Sequence, residues 1–292
     1  MNTKIILRHF FVAFIFLMSS LLVLSCEKYL EFEGEYKTPK IVVNSKITSD
    51  STFKVHLSRS LNIVDNGELS SITDASVSIL DGNDNLIETL VYDAEGFYLG
   101  SNSPLTNQTY KIRVSAPSYT PVSSQTYIPN DVTIISVDTS SYVSTEGDTL
   151  FKLKIVFADN GSFDDFYQIR LGYGYFVSGQ LYYNPVSLTS NDVSLGLEQD
   201  EFVDFASFTD ELFNGSTKTL EVSCNNFSSY YDYLQINIIT ASKDVYLYDR
   251  TLATYSQNNG GFFSEPVQVY TNITNGFGIF GGYQTTRFKI NF

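Results

Sequence analysis

Few side chains in this sequence have the type and spacing to do chemistry, and the first of them is a thiol. Cys26 closes the run Val23-Leu24-Ser25-Cys26, which reads as a lipobox. A peptidase would cut before the cysteine, and its sulfur and freed amine would be acylated. Two or three chains on one residue satisfy the rule that stable anchoring needs more than one acyl chain, each buried CH₂ giving about 0.8 kcal/mol. Carboxylates come next. Asp159-Asn160-Gly161 with Asp164 and Asp165 gathers three acids in one loop; a weak Ca²⁺ site is weighed there against a polar loop built on an Asn-Gly turn, and the polar loop is the reading adopted. Asp81-Gly82-Asn83-Asp84-Asn85 superficially has a calcium-loop composition, but Leu86 and Tyr92 stand where an EF-hand needs glycine and glutamate, so it reads as a turn.

Histidine chemistry is scarcely available. Of two histidines, only His56 lies outside the N-terminal apolar segment. It falls on the polar side of an alternating strand and is expected to face solvent, which leaves no triad and no two-histidine zinc helix. There is no phosphate-cradling glycine loop and no Gly-x-Ser-x-Gly elbow. A glycosidase pair cannot be singled out among 32 acidic residues, because that chemistry depends on separation in space. The chain is expected not to be an enzyme, with no catalytic residue, no metal and no cofactor. Cys224, the only other cysteine, reads as a small buried hydrophobe, and a disulfide framework is excluded.

The residues best suited to contact something are aromatic. Tyr173, Tyr175, Phe176, Tyr182 and Tyr183 cluster in one glycine-punctuated stretch and are candidate ligand or partner contacts, since rings supply contact area at little entropic cost. The same alternation fills β-sandwich cores, so a core or mixed role is the reading adopted. The absence of tryptophan argues against a sugar-stacking platform.

The elements that must position these groups are strands. Residues 1–25 read as a signal peptide: Lys4 and Arg8, then an apolar run of roughly sixteen residues, short of the ~20 needed to span a bilayer. Residues 26–39 form an acidic tether. Over residues 40–130 about seven short alternating segments bounded by turn residues indicate an Ig-like β-sandwich, with Asp81-Gly82 marking a hairpin. Pro129-Asn130 marks a boundary, and residues 131–292 form a second β-rich domain. Its one short α-helix is carried by Val245, Tyr248, Leu252 and Tyr255 and stopped by Gly260-Gly261. Residues 288–292 are expected to close the sheet as an edge strand. The fold class is therefore all-β. A net charge of −14 repels phosphate backbones and anionic head groups, so nucleic-acid binding is disfavoured and membrane attachment must come from the lipid.

The C-terminal block Ser264-Glu265-Pro266-Val267-Gln268-Val269-Tyr270-Thr271-Asn272-Ile273, followed by Asn275-Gly276-Phe277-Gly278-Ile279-Phe280-Gly281-Gly282-Tyr283, resembles the closing signature of the Bacteroidota lipoprotein family called domain of unknown function 4249. Residues 41–44, 55–60, 74–77, 119–129 and 208–215 fall where that family has its blocks, as does the helix around residues 246–252. The resemblance implies an outer-membrane lipoprotein partnered by a TonB-dependent receptor in nutrient uptake, acting as a non-enzymatic accessory or ligand-binding component. It carries over no catalytic residues. Acidic residues after the lipidated cysteine mark export to the outer face in such lipoproteins, so surface exposure is expected over a periplasm-facing position. A structural or adhesive surface lipoprotein is the alternative, and an extracellular hydrolase the second. Ligand identity stays open.

Overall fold

The computed structural model describes residues 9–11, 14, 38–62, 70–144, 146–161, 164–198, 201–258 and 267–292. Cys26, the tether as far as residue 37 and the Gly260-Gly261 stop lie outside the described residues. No described helix is long and apolar enough to cross a membrane.

From residue 38 onward, alternation of apolar and polar side chains decides which face of each strand is buried. β1 (Ile41–Ile47) turns Ile41, Val43, Ser45 and Ile47 inward, and β2 (Lys54–Arg59) does the same with Val55 and Leu57. β3 (Ser76–Asp81) and β4 (Leu86–Tyr92) form the expected hairpin. Its turn is held by the Asp81 carboxylate, which accepts from the backbone N–H groups of Asn83 and Asn85 (2.8 and 2.9 Å). β5 (Phe97–Leu99), β6 (Gln108–Ser115) and β7 (Val122–Ile128) complete the seven strands read from the sequence. β4 pairs with β3 over its first part and with β5 at Val91 and Tyr92, so it turns the corner between two layers. Between them lie Ile41, Val43, Phe53, Val55, Leu57, Val77, Ile79, Tyr98, Ile112 and Val114, all buried. Each such side chain contributes about 1.5–3 kcal/mol on burial. Tyr98 fits because its hydroxyl accepts from Ala75 N and donates to Ile72 O.

The second half is a two-layer sandwich. One layer is β8 (Thr133–Val143), β9 (Thr149–Ala158), β12 (Leu188–Thr189) and β14 (Thr217–Asn225), in the order β12-β14-β9-β8. The other contains β10 (Phe166–Val177), β11 (Gln180–Val186), β15 (Tyr233–Ala241) and β16 (Phe277–Asn291), with β13 (Ala206–Thr209) on β10. Leu153, Ile155, Phe157, Tyr167, Ile169, Leu171, Leu220, Val222, Leu234, Ile236 and Ile238 fill the space between. The helix α1 (Lys243–Asn258) includes the expected Val245–Tyr255 stretch.

The C-terminal strand departs from expectation. It is not a five-residue edge but the 15-residue β16, which takes a different partner strand along each part of its length. Residues 277–282 run parallel to β1, with Val43 opposite Gly278, and residues 283–291 run antiparallel to β15. The two halves are thereby one continuous ladder, β11-β10-β15-β16-β1-β2-β5-β4-β3-β6-β7. The boundary near residue 130 separates the two hydrophobic clusters, but Ile273 and Phe280 sit in the first of them. The described residues from 38 onward, Asn62 apart, form one compact unit. Gly278 is required at the crossing: its φ is +99°, and a Cβ there would lie 2.0 Å from the Val43 carbonyl oxygen.

Candidate functional site

The aromatic stretch is a β-hairpin, and pleating divides its rings. Tyr173 is 1% exposed. Its hydroxyl donates to Asn225 O and accepts from Phe227 N, and burial pushes its phenol upward. It is therefore a core residue at the limit of the covering β14. Two residues on, the inner face of β10 has no layer above it. There Tyr175 is half-buried, stacking on Tyr182 at 5.3 Å between centroids and meeting Tyr231 edge-on at 5.5 Å. Phe176, Tyr182 and Tyr183 are exposed. Tyr183 is nevertheless anchored: its ring covers Gly172 and its hydroxyl accepts from Asn237 Nδ2 at 3.0 Å. Val177 and Leu181 extend the apolar surface, and Tyr230 adds to the exposed aromatics. Leu181 is reached only through the hairpin register, which sets it opposite Phe176; Tyr231 comes from the β14–β15 connection and has no signal in the local sequence.

His56 lies on the outer side of β2, alternating with buried Val55 and Leu57. It is half-buried against Phe97, with ring centroids 4.8 Å apart, because β5 pairs beside β2 and sets Phe97 opposite it. Cys224 is fully buried, and desolvation pushes its thiol up to about 11, well away from reactive thiols.

A different set of acids converges than the one the sequence gathers. Asp159 follows β9, Asp165 precedes β10 and Asp210 follows β13, and one carboxylate oxygen from each lies within 4.8 Å of the others. Asp164 is exposed. Pairing of Phe166 with Thr209 places residues 165 and 210 side by side, where Asp165 N donates to Asp210 Oδ2 at 3.0 Å. Asp159 accepts from Gly215 N and from the Tyr167 hydroxyl. Burial, then the charges of Asp159 and Asp210, hold the Asp165 carboxyl up at about 7, and burial also raises Asp210.

The folded value of Asp165 exceeds the unfolded one of about 3.9, so its contribution to stability is full below pH 4 and is lost as pH rises through 7. In chelated buffer, the stability difference between the parent and Asp165→Asn should shift against the parent between pH 5 and 8. Urea denaturation at both values measures it, and a pH-independent difference would contradict the assigned surroundings, namely Asp159, Asp164, Asp210 and Tyr167.

A wider cleft of about 1010 Å³ lies between α1 and the outer face of β10. Among its charged groups, Asp249 pairs with Lys46, and Arg170 lies over the Phe205 ring at 4.8 Å.

Among solved structures, the chain is similar to a tetra-tandem repeat from the extending region of a large adhesion protein, at 8% identity and a TM-score of 0.21, covering 87% of this chain and 49% of that one. It is also similar to the collagen-binding domain of the Erysipelothrix rhusiopathiae surface protein RspB, at 11% identity and a TM-score of 0.18, covering 85% and 96%. The collagen adhesin CNA from S. aureus matches at 9% identity and a TM-score of 0.20, covering 87% and 95%. The chain spans about half the length of the first of these, and likenesses this distant carry no argument about function. No curated protein matches the chain. The match that does carry weight runs over residues 27–289, through both β-layered halves and the shared strand β16, and by it the chain belongs to the family described as Domain of unknown function (DUF4249).

Proposed function

We propose that this chain is a lipid-anchored outer-membrane protein of the Bacteroidota type, acylated at Cys26 and displayed on the outer face, which serves without catalysis as an accessory to a TonB-dependent receptor in nutrient uptake. The observation that supports a docking role is the β10–β11 hairpin tip. Phe176 is 57% exposed, Leu181 47% and Tyr230 80%, and β11 has a strand on one side only. Exposed apolar area of this kind marks interaction sites. An open strand edge can also accept a further strand from a partner. A partner protein suits the tip better than a sugar, because the rings lie on both faces of the hairpin and form no single flat platform.

A tagged chain purified from outer membranes tests the reading. The wild type should bring down a receptor-sized band, and Phe176→Asp with Tyr182→Asp should reduce that band at least tenfold while leaving the fold unchanged by circular dichroism. Retention of the band by the double variant removes the hairpin from the interface. Its repeated absence from the wild type removes the transport role and leaves the adhesive one. Cys26→Ser should move the protein to the soluble fraction; continued membrane association would refute the anchor.

A further inference from the structure

The acidic cluster contains more than acids. A small cavity of about 150 Å³ is lined by Asp159 and Asp165 together with Asp131, Tyr167 and Thr240. Thr240 is 2% exposed, and its hydroxyl oxygen has no hydrogen-bond partner. It stands directly opposite Tyr167 in the β10–β15 ladder. An orphaned hydroxyl in a folded interior costs about 1–3 kcal/mol unless something engages it. Three carboxylates held together without a counter-charge are likewise unfavourable. Among the described residues, no ion pair involves Asp159, Asp165 or Asp210. One ligand would resolve both problems, a cation that takes a lone pair from each oxygen.

We propose that Asp159, Asp165 and Asp210, with the Thr240 hydroxyl, form a binding site for a calcium ion. All the donors are hard oxygens, which disfavours zinc and copper and suits Ca²⁺, Mg²⁺ or Mn²⁺. Ca²⁺ takes ligands at about 2.3–2.6 Å, so oxygens on opposite sides of it lie up to about 5 Å apart, whereas the shorter bonds of Mg²⁺ confine them to about 4.2 Å. The observed spread, within 4.8 Å, accommodates the larger ion. The cavity has room for waters of roughly 30 Å³ each to complete a shell of six to eight. The backbone already holds the carboxylates in place, through Gly215 N on Asp159 and Asp165 N on Asp210. Bound calcium would tie the β9–β10 connection to the start of the β13–β14 connection and to β15.

The test uses the whole mature chain, stripped with chelator and titrated with CaCl₂ by calorimetry and thermal melting. One saturable site and a higher melting temperature are expected, with MgCl₂ at least tenfold weaker. Asp165→Asn and Asp210→Asn should each weaken Ca²⁺ binding at least tenfold. In chelator they should melt no lower than the parent, because neutralising one acid relieves repulsion. Thr240→Val gives a second route: it should weaken Ca²⁺ binding severalfold yet melt at or above the parent without metal, since the orphaned hydroxyl is gone. Terbium luminescence sensitised by the two cavity tyrosines, Tyr127 and Tyr167, and lost when both are changed to Phe, places the ion at this cavity. Absence of saturable binding up to about 10 mM CaCl₂, above the weakest extracellular class of about 10⁻³ M, overturns the proposal, as does unchanged affinity in all three ligand variants.

Discussion

Gly278→Val is expected to leave no cooperatively folded protein at room temperature. The residue lies in β16 opposite Val43 of β1, where the two strands run parallel. Its φ of +99° is one that β-branched residues avoid, and the added Cβ would meet Val43 at its carbonyl oxygen (2.0 Å), carbonyl carbon (2.8 Å) and nitrogen (3.1 Å). Backbone atoms in a paired strand cannot turn aside as a flexible side chain can. The cost is therefore strain plus loss of the β1–β16 ladder, more than about 4 kcal/mol and in the range reserved for severe core disruption. Gly179→Ala is the control. It also has positive φ (+80°), but nothing lies within 4 Å of its Cβ, so it should cost only about 1–2 kcal/mol. Urea denaturation followed by far-UV circular dichroism separates the two. A Gly278→Val protein within about 1 kcal/mol of the parent would mean that β16 does not cross against β1 as described.

Asp249→Ala should be the next most damaging change, at about 2–4 kcal/mol. The Asp249 carboxylate on α1 pairs with Lys46 of β1 and accepts from Gln168 Nε2 of β10 at 3.0 Å. Gln168 in turn accepts from Arg170 at 3.2 Å. Asp249 and Gln168 are both buried. Truncation therefore strands an amide donor and a cation, and removing one partner of a buried pair costs about 3–5 kcal/mol. Lys46 is about one-third exposed, and solvent screening lowers the figure accordingly. Asp249→Asn keeps an acceptor for Gln168 and should recover at least half of the loss. A double-mutant cycle with Lys46→Met isolates the ion pair. If Asp249→Ala unfolds at the same urea concentration as the parent, α1 is held by its apolar face alone.

What the sequence made legible followed its periodicities. The seven strands of the first half alternate cleanly, as in Val55 and Leu57 of β2 against Lys54 and His56, and the spacing of Val245, Tyr248, Leu252 and Tyr255 marks α1. β16 is obscured because Gly278, Gly281 and Gly282 interrupt its alternation, and because its partner β1 is distant from it in the sequence. The aromatic stretch was visible as a cluster but not as two faces. Only the hairpin register, with Tyr182 opposite Tyr175 and Leu181 opposite Phe176, and the reach of β14 decide which rings are covered. For the carboxylates, two of three were in view. Asp210 arrives through the short pairing of β13 with β10, a contact between segments about forty residues apart in sequence that no local pattern announces.

The position of β16 also fixes an order of events. Residues 277–282 pair with β1 and place Phe280 in the first hydrophobic cluster, and residues 283–291 flank β15 of the second. Neither half can finish folding until the segment beyond residue 276 has been made. As the chain emerges from the ribosome, β1 keeps an unsatisfied edge until residues 277–282 have been made, and completing the ladder requires closing a very long loop, an intrinsically slow step. A polypeptide built this way stays incompletely folded until β16 has been made, and becomes resistant to protease only when that strand pairs with β1 and β15.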